Sequence, residues 1–276
     1  MNYRLLFSDN GTLTDYSYQL NNYYSGSASL AFVASQDKLY IGSLFPFNSM
    51  YFKMATGSGS DAGISIKYWD SSQWRSAVEV IDETSGLQSS GFVTWQVDRQ
   101  NGWVGEDTVN GSGVANITEL SSVTIYDMHW VQVTLATDVS FDISWIGHIF
   151  CNDNDLFTEY PDFNNANLMT AIKAAKTNFE EQEVRASQIL VEDLIANGTI
   201  KHESQILDRR KLINACVSKS AEIIYGILGD DYIDQKRDAM NEYKSRIKKD
   251  LFAFDINKDG DLSEAESTFR QGYVYR

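Results

Sequence analysis

The chain has 276 residues, of which 43% are hydrophobic, and its 38 Asp and Glu outweigh its 23 Lys and Arg to give a formal net charge of −15. That length and apolar content suffice for one large or two medium domains with their own cores. The acidic balance works against binding nucleic-acid phosphates or anionic lipid surfaces, both of which call for Lys and Arg.

No stretch reaches the roughly 18 apolar residues of a membrane span. The opening MNYRLLFSDNGTL lacks the basic start and apolar centre of a signal peptide, so synthesis in the cytosol without a membrane stage is expected. All six tryptophans (Trp69, Trp74, Trp95, Trp103, Trp130 and Trp145) precede Pro161, and runs rich in Ala, Lys, Glu, Leu and Ile follow it. Charge divides there too: residues 1–162 hold six Lys and Arg against nineteen Asp and Glu, and the remainder seventeen against nineteen. Such a shift in composition marks a domain boundary. The reading is a multi-domain chain: an all-β sandwich or jelly roll over 1–160, an all-α helical bundle over 161–254, and an EF-hand-like calcium loop with a C-terminal tail over 255–276.

In the first 150 residues, short apolar and aromatic runs (LYIGSLF, MYFKMA, GISIKYWD, SAVEVID, GFVTWQV, VTIYDMHWVQVTL and VSFDISWIGHIF) predict strands. Asn10-Gly11, GSGSDAG over 57–63, Asn101-Gly102 and NGSG over 110–113 separate them with residues that tolerate positive φ. In GISIKYWD the alternation puts Ile64, Ile66 and Tyr68 on one face and Ser65, Lys67 and Trp69 on the other, so the first set faces the core. GSGSDAG lacks the lysine and strand-to-helix setting of a phosphate loop and reads as a hairpin.

Past Pro161 the period lengthens. Apolar residues at three- and four-residue spacing predict helices over 167–183 (Leu168, Ile172, Ala175, Phe179) and 186–197 (Ile189, Leu190, Leu194, Ile195), the second stopped by Gly198. A third is expected over about 205–228, ended by Gly229, and a fourth over about 233–253.

The motif with the clearest chemistry is DINKDGDLSEAE, which fits D-x-[DN]-x-[DN]-G-x5-E throughout. A hard cation such as Ca2+ takes six to eight oxygens, so Asp255, Asn257 and Asp259 are its early ligands. The Asp261 carbonyl, Ser263 directly or through water, and a bidentate Glu266 would complete the set, with Gly260 permitting the turn. Only ten residues follow, ending GYVYR, so the loop lacks a long exiting helix and a partner hand. Calcium there would fix a corner rather than signal.

Catalytic chemistry has little support. His129 and His148 lie in strand-like runs and His202 between helices, with no nucleophile and acid to complete a set. Asp82-Glu83 and Glu106-Asp107 read as solvated turn charge, and Arg209-Arg210-Lys211 and Lys244 to Lys249 interleave with acids as a salt-bridged face. Cys151 and Cys216 fall in different expected domains without C-x-x-C spacing and read as buried free thiols. Exposed tryptophans on a sheet can stack on sugar rings, which nominates Trp69, Trp74, Trp95 and Trp103 and a calcium-binding carbohydrate-binding β-sandwich as the alternative function.

The run from ASQILVEDLIANGTIKHESQ through YKSRIKKDLFAFDINKDGDLSEAE to GYVYR resembles the small helical head-to-tail adaptor (connector) proteins of the tailed-bacteriophage neck. The resemblance lies in helix order, a long fourth helix ending in Leu-x-x-Phe-Asp, and an Asp/Gly turn before a β-like tail, and it covers about a third of the chain. The first 150 residues are similar to β-sandwich pieces carried by phage virion proteins. The resemblance implies a non-enzymatic virion protein made in the host cytoplasm. It would be a homo-oligomeric ring, usually of twelve copies, bound to the portal and other neck or tail proteins, whose channel passes DNA without specific binding. An acidic wall suits that role, and GYVYR could add as a strand to a neighbouring subunit.

Overall fold

The computed structural model describes residues 3–70, 72–97, 103–105, 117–123, 128–173 and 176–249. These divide into two units with the break between Gly147 and His148, ahead of the composition change at Pro161.

The first unit consists of two antiparallel sheets with eleven strands among the described residues. Strands β1 (Arg4–Asp9), β2 (Thr12–Asp15), β4 (Lys38–Ser43), β6 (Ile64–Trp69), β7 (Trp74–Ser76) and β10 (His129–Leu135) form one, in the order β2-β1-β4-β10-β6-β7. Strands β3 (Ala28–Phe32), β5 (Ser49–Thr56), β8 (Val78–Asp82), β9 (Gly91–Gln96) and β11 (Val139–Gly147) form the other, in the order β3-β11-β5-β9-β8. The period-2 pattern decides the packing. Leu5, Leu39, Ile66, Tyr68, Val131 and Val133 of the first sheet share one core with Leu30, Phe52, Val93, Phe141 and Ile143 of the second. The face expected for Ile64, Ile66 and Tyr68 is the core face.

The first sheet is also covered on its outer side. Leu6, Tyr40, Trp69 and Trp130 point away from the shared core and pack with Ile117 and Leu120. This second cover explains why β1 and β4 are buried almost continuously instead of at alternate residues.

Asn10 and Gly11 have φ of 44° and 88° and join β1 to β2, the paired positive φ that an Asn-Gly hairpin supplies. GSGSDAG, expected as a hairpin, instead carries the chain from β5 in one sheet to β6 in the other. It packs on the turn over 84–89, where Ser58 N–H donates to the Leu87 carbonyl and Ser58 Oγ to that of Gly86. A Cβ on Gly57 would lie 2.0 Å from the Gln88 carbonyl oxygen, so glycine is required there for close approach. Asp82, expected to be solvated charge, organises the same turn by accepting from Thr84 N–H and Gly86 N–H.

The second unit is helical: α2 (Asp153–Glu159), α3 (Ala166–Ile172), α4 (Glu180–Ala196), α5 (Ile213–Leu228) and α6 (Ile233–Lys249), with a short α1 (Ser17–Leu20) belonging to the first unit. The helix expected over 167–183 ends at Ile172. Lys173 is extended, and α4 begins after Phe179, whose N–H donates to Asp153 Oδ1 at 2.9 Å. Phe179 is fully buried, with its ring 5.7 Å from that of Phe163, so its side chain joins the core from outside the helix. Glu180, Glu181 and Glu183 in the first turn of α4 suit the positive end of the helix. Gly198 and Gly229 take φ of 71° and 94° beyond α4 and α5, as expected of helix-ending glycines.

Helix α5 packs against α2, α4 and α6. Polar clasps fasten α6: Tyr243 Oη donates to Asp193 at 2.6 Å and Tyr160 Oη to Glu242 at 2.8 Å. The Arg246 guanidinium donates to Glu159, Glu242, Ser218 Oγ and the Asn214 carbonyl.

Candidate functional site

The calcium-loop residues Asp255, Asn257, Asp259, Asp261, Ser263 and Glu266 lie outside the described residues. Among the described residues no cluster of three or more His, Cys, Asp or Glu side chains is arranged to hold a metal ion. No helix among them is long and apolar enough to cross a membrane.

The tryptophans nominated for sugar stacking are interior. Trp69, Trp95 and Trp103 are 6%, 2% and 4% exposed, and half-buried Trp74 packs edge-on against Trp69. Trp95 and Trp103 flank Phe47 with ring centroids 5.5 and 5.2 Å away. The histidines have packing and capping roles. His129 meets Trp103 edge-on, His148 stacks on Phe150, and His202 Nδ1 accepts from the Ser204 N–H. Burial, with His202 nearby, lowers His148 to about 3, so it is neutral at physiological pH. Of the basic runs, Arg210 pairs with neighbouring Asp208, whereas Arg246 turns inward into the clasp on α6.

Two features of the helical unit remain for function. The first is the surface of α6. Every residue from Ile233 to Asp238 is exposed, and only Ala239 and Tyr243 of the helix are buried among residues whose side chains are described. Ile227 and Ile233 flank the Gly229 turn at 49% and 61% exposure. The exposed stretch of α6 is mostly charged, with Ile233 and nearby Ile227 as its apolar residues.

The second is a buried polar cluster at the start of α4 and α5. Ser187 Oγ donates to the Glu183 carbonyl at 2.8 Å, accepts from Phe150 N–H at 3.0 Å and lies 3.3 Å from Cys216 Sγ. Ser220 Oγ lies 3.6 Å from Cys151 Sγ. The Glu183 carboxyl is 2% exposed; burial, then Asp153 and Cys216, push it well above the usual carboxylate range. Burial also raises Asp153, which accepts from Phe179 N–H. Burial and the neighbouring Asp153 charge both favour the neutral form of Glu183.

Sequence reasoning read Cys151 and Cys216 as buried free thiols, which they are, but put them in different domains and missed this cluster. The only local sign of it is the run of small polar residues at helical spacing, Glu183 to Ser187 and Cys216 to Ser220. No known protein family matches the chain, and no curated protein or solved structure matches it.

Proposed function

We propose that the chain is a self-assembling structural protein rather than an enzyme. Within that class, its place is that of a head-to-tail adaptor in the neck of a tailed-bacteriophage virion. A ring of copies would bind the portal and tail proteins and let DNA pass.

The observation that carries the assembly reading is the open face of α6 with Ile227 and Ile233 beside it. In a ring, each subunit would cover that face with its neighbour. Strand order adds support: β3-β11-β5-β9 in one sheet and β4-β10-β6-β7 in the other, with the chain repeatedly crossing between sheets, is the arrangement of a jelly roll. That fold serves viral capsid and lectin domains alike. Of the tryptophans that nominate the lectin-like alternative, Trp69, Trp95 and Trp103 are buried and Trp74 half-buried, so these four do not form an exposed stacking platform. The acidic chain suits a channel in which DNA slides without being held. The loop over 255–266 would take structural Ca2+ and aim the tail, whose Tyr273 and Tyr275 share one face of an added strand.

The test is native mass of the full chain against concentration. A ring is expected. Ile233→Glu and removal of 270–276 should each leave a folded monomer with an unchanged circular dichroism spectrum. A wild-type chain that stays monomeric at every concentration, alone and with portal protein, overturns the reading.

A further inference from the structure

We propose that β8 is the docking edge for the C-terminal tail of a neighbouring copy, whose residues 270–276 add to it as a strand and extend the second sheet across the subunit boundary. The inference rests on the assembly reading and names the surface that receives the tail.

Among the described residues the edge strands are β2 and β7 of the first sheet and β3 and β8 of the second. Strand β7 has three residues, β2 exposes Thr12, Thr14 and an Asp15 paired with Arg4, and β3 exposes Ser29 and Ala31. In β8, by contrast, Val78 and Ile81 are 44% and 59% exposed.

A bulge puts those two side by side. Residues three apart on a regular strand face opposite ways, but the register slips across Glu79, whose φ is 51°. Val78 therefore stands opposite Gln96 and Ile81 opposite Thr94. Since Val93 and Trp95 of β9 face the core, Thr94 and Gln96 face outward, and Val78 and Ile81 with them. The outward face continues through Phe92 and Tyr51, ring centroids 5.0 Å apart, to Trp145, 6.1 Å from Tyr51. A sheet with one solvated face normally turns polar residues outward, and open edges normally carry charge. Strand β8 departs from both.

The tail has the matching make-up. The chain runs on past α6 for residues 250–276, outside the described residues, and ends STFRQGYVYR, with Arg270 and Arg276 and no acid. As a strand it puts Tyr273 and Tyr275 on one face, which laid along β8 continues the apolar surface of Val78 and Ile81. Arg270 and Arg276 then fall at its two ends, within reach of exposed Glu79 and Glu83. The charges are complementary more widely, because acids outnumber bases nineteen to six over residues 1–162. Main-chain hydrogen bonds supply the affinity of such an added strand, and the tyrosines and arginines fix its register.

The full chain, with p-benzoylphenylalanine in place of Tyr275, is mixed as unlabelled and nitrogen-15-labelled copies and irradiated where native mass shows an oligomer. Cross-linked peptides should join position 275 to residues 78–83 and pair one labelled with one unlabelled chain. Ile81→Lys should abolish that cross-link, and Glu79→Arg should weaken it and be rescued by Arg276→Glu. If these variants do not fold, the cross-link map of the unsubstituted edge decides alone. Cross-links within one chain, cross-links elsewhere, or none at all overturn the proposal, and an oligomer in the same sample leaves the assembly reading standing. A chain that stays monomeric at every concentration, alone and with portal protein, overturns both.

Discussion

Trp130 and Gly42 face each other across the β10–β4 pairing, and the indole lies over the glycine where any side chain would stand. A Cβ on Gly42 would meet three ring carbons of Trp130 at 2.8–2.9 Å. The pair sits in the outer cluster of the first sheet, so displacing the ring disturbs Tyr40, Trp69 and Leu120 together. Gly42→Ala is expected to cost about 1–3 kcal/mol through overpacking. Urea unfolding followed by tryptophan fluorescence measures it. An unchanged midpoint would mean that the ring yields freely.

Gly226 makes the opposite case. It lies within α5, and an added Cβ would meet only the flexible Lys236 side chain, at 3.4 Å. Gly226→Ala should stabilise the helical unit by about 0.5–1 kcal/mol, because alanine loses less backbone entropy in a helix. Thermal melts of the two alanine variants, run side by side, should move in opposite directions.

Arg246 joins α6 to both α2 and α5, donating to Glu159, Glu242, Ser218 Oγ and the Asn214 carbonyl. Its guanidinium is largely sheltered, at 21% exposure, so losing it leaves Glu159 and the backbone acceptor short of a donor. Arg246→Met, which keeps the apolar stem, should destabilise the helical unit by about 1–3 kcal/mol. Hydrogen exchange should locate the loss in α6 before α4. Uniform loss across the unit would remove the clasp role.

What was legible in the sequence was local. Asn10-Gly11 names its own turn, Gly198 and Gly229 mark helix ends, and the change of period separates strands from helices. What was not legible depends on partners far along the chain. Trp69 points to the outer face as its alternation requires, yet is buried because Ile117 and Leu120 pack there. Leu168, Ile172 and Phe179 keep helical spacing, but Asp153 takes the Phe179 N–H and the helix is broken between them. Arg246 sits in a run that reads as solvated, and only the fold brings Glu159 to it. The candidate calcium loop shows the reverse: DINKDGDLSEAE is explicit as a motif and lies outside the described residues.

That motif gives a direct prediction. Titrating the full chain with Ca2+ in a calorimeter should give one site, and Glu266→Ala should weaken it by at least tenfold by removing the bidentate closing ligand. Wild type without heat of binding eliminates the site.

Two buried groups of the helical unit should give its stability opposing pH dependences. Glu183 is raised in the fold by burial, Asp153 and Cys216, so the folded state holds its proton to higher pH than the unfolded chain does. Its contribution is complete below the unfolded carboxyl range, near pH 4, and is lost as pH rises through the folded value. His148 is lowered to about 3 by burial and His202, so the unfolded chain takes up its proton first. That contribution is complete above about pH 6.5 and is lost as pH falls toward 3, with a slope approaching about 1.4 kcal/mol per pH unit. Glu183→Gln keeps a neutral hydrogen-bonding side chain toward Asp153. It should raise the urea midpoint at pH 8, leave it nearly unchanged at pH 4, and preserve the acid-side decline due to His148. If the variant instead loses stability at pH 8, Glu183 is held there as a carboxylate with a favourable partner, and burial as the cause of its upward shift fails.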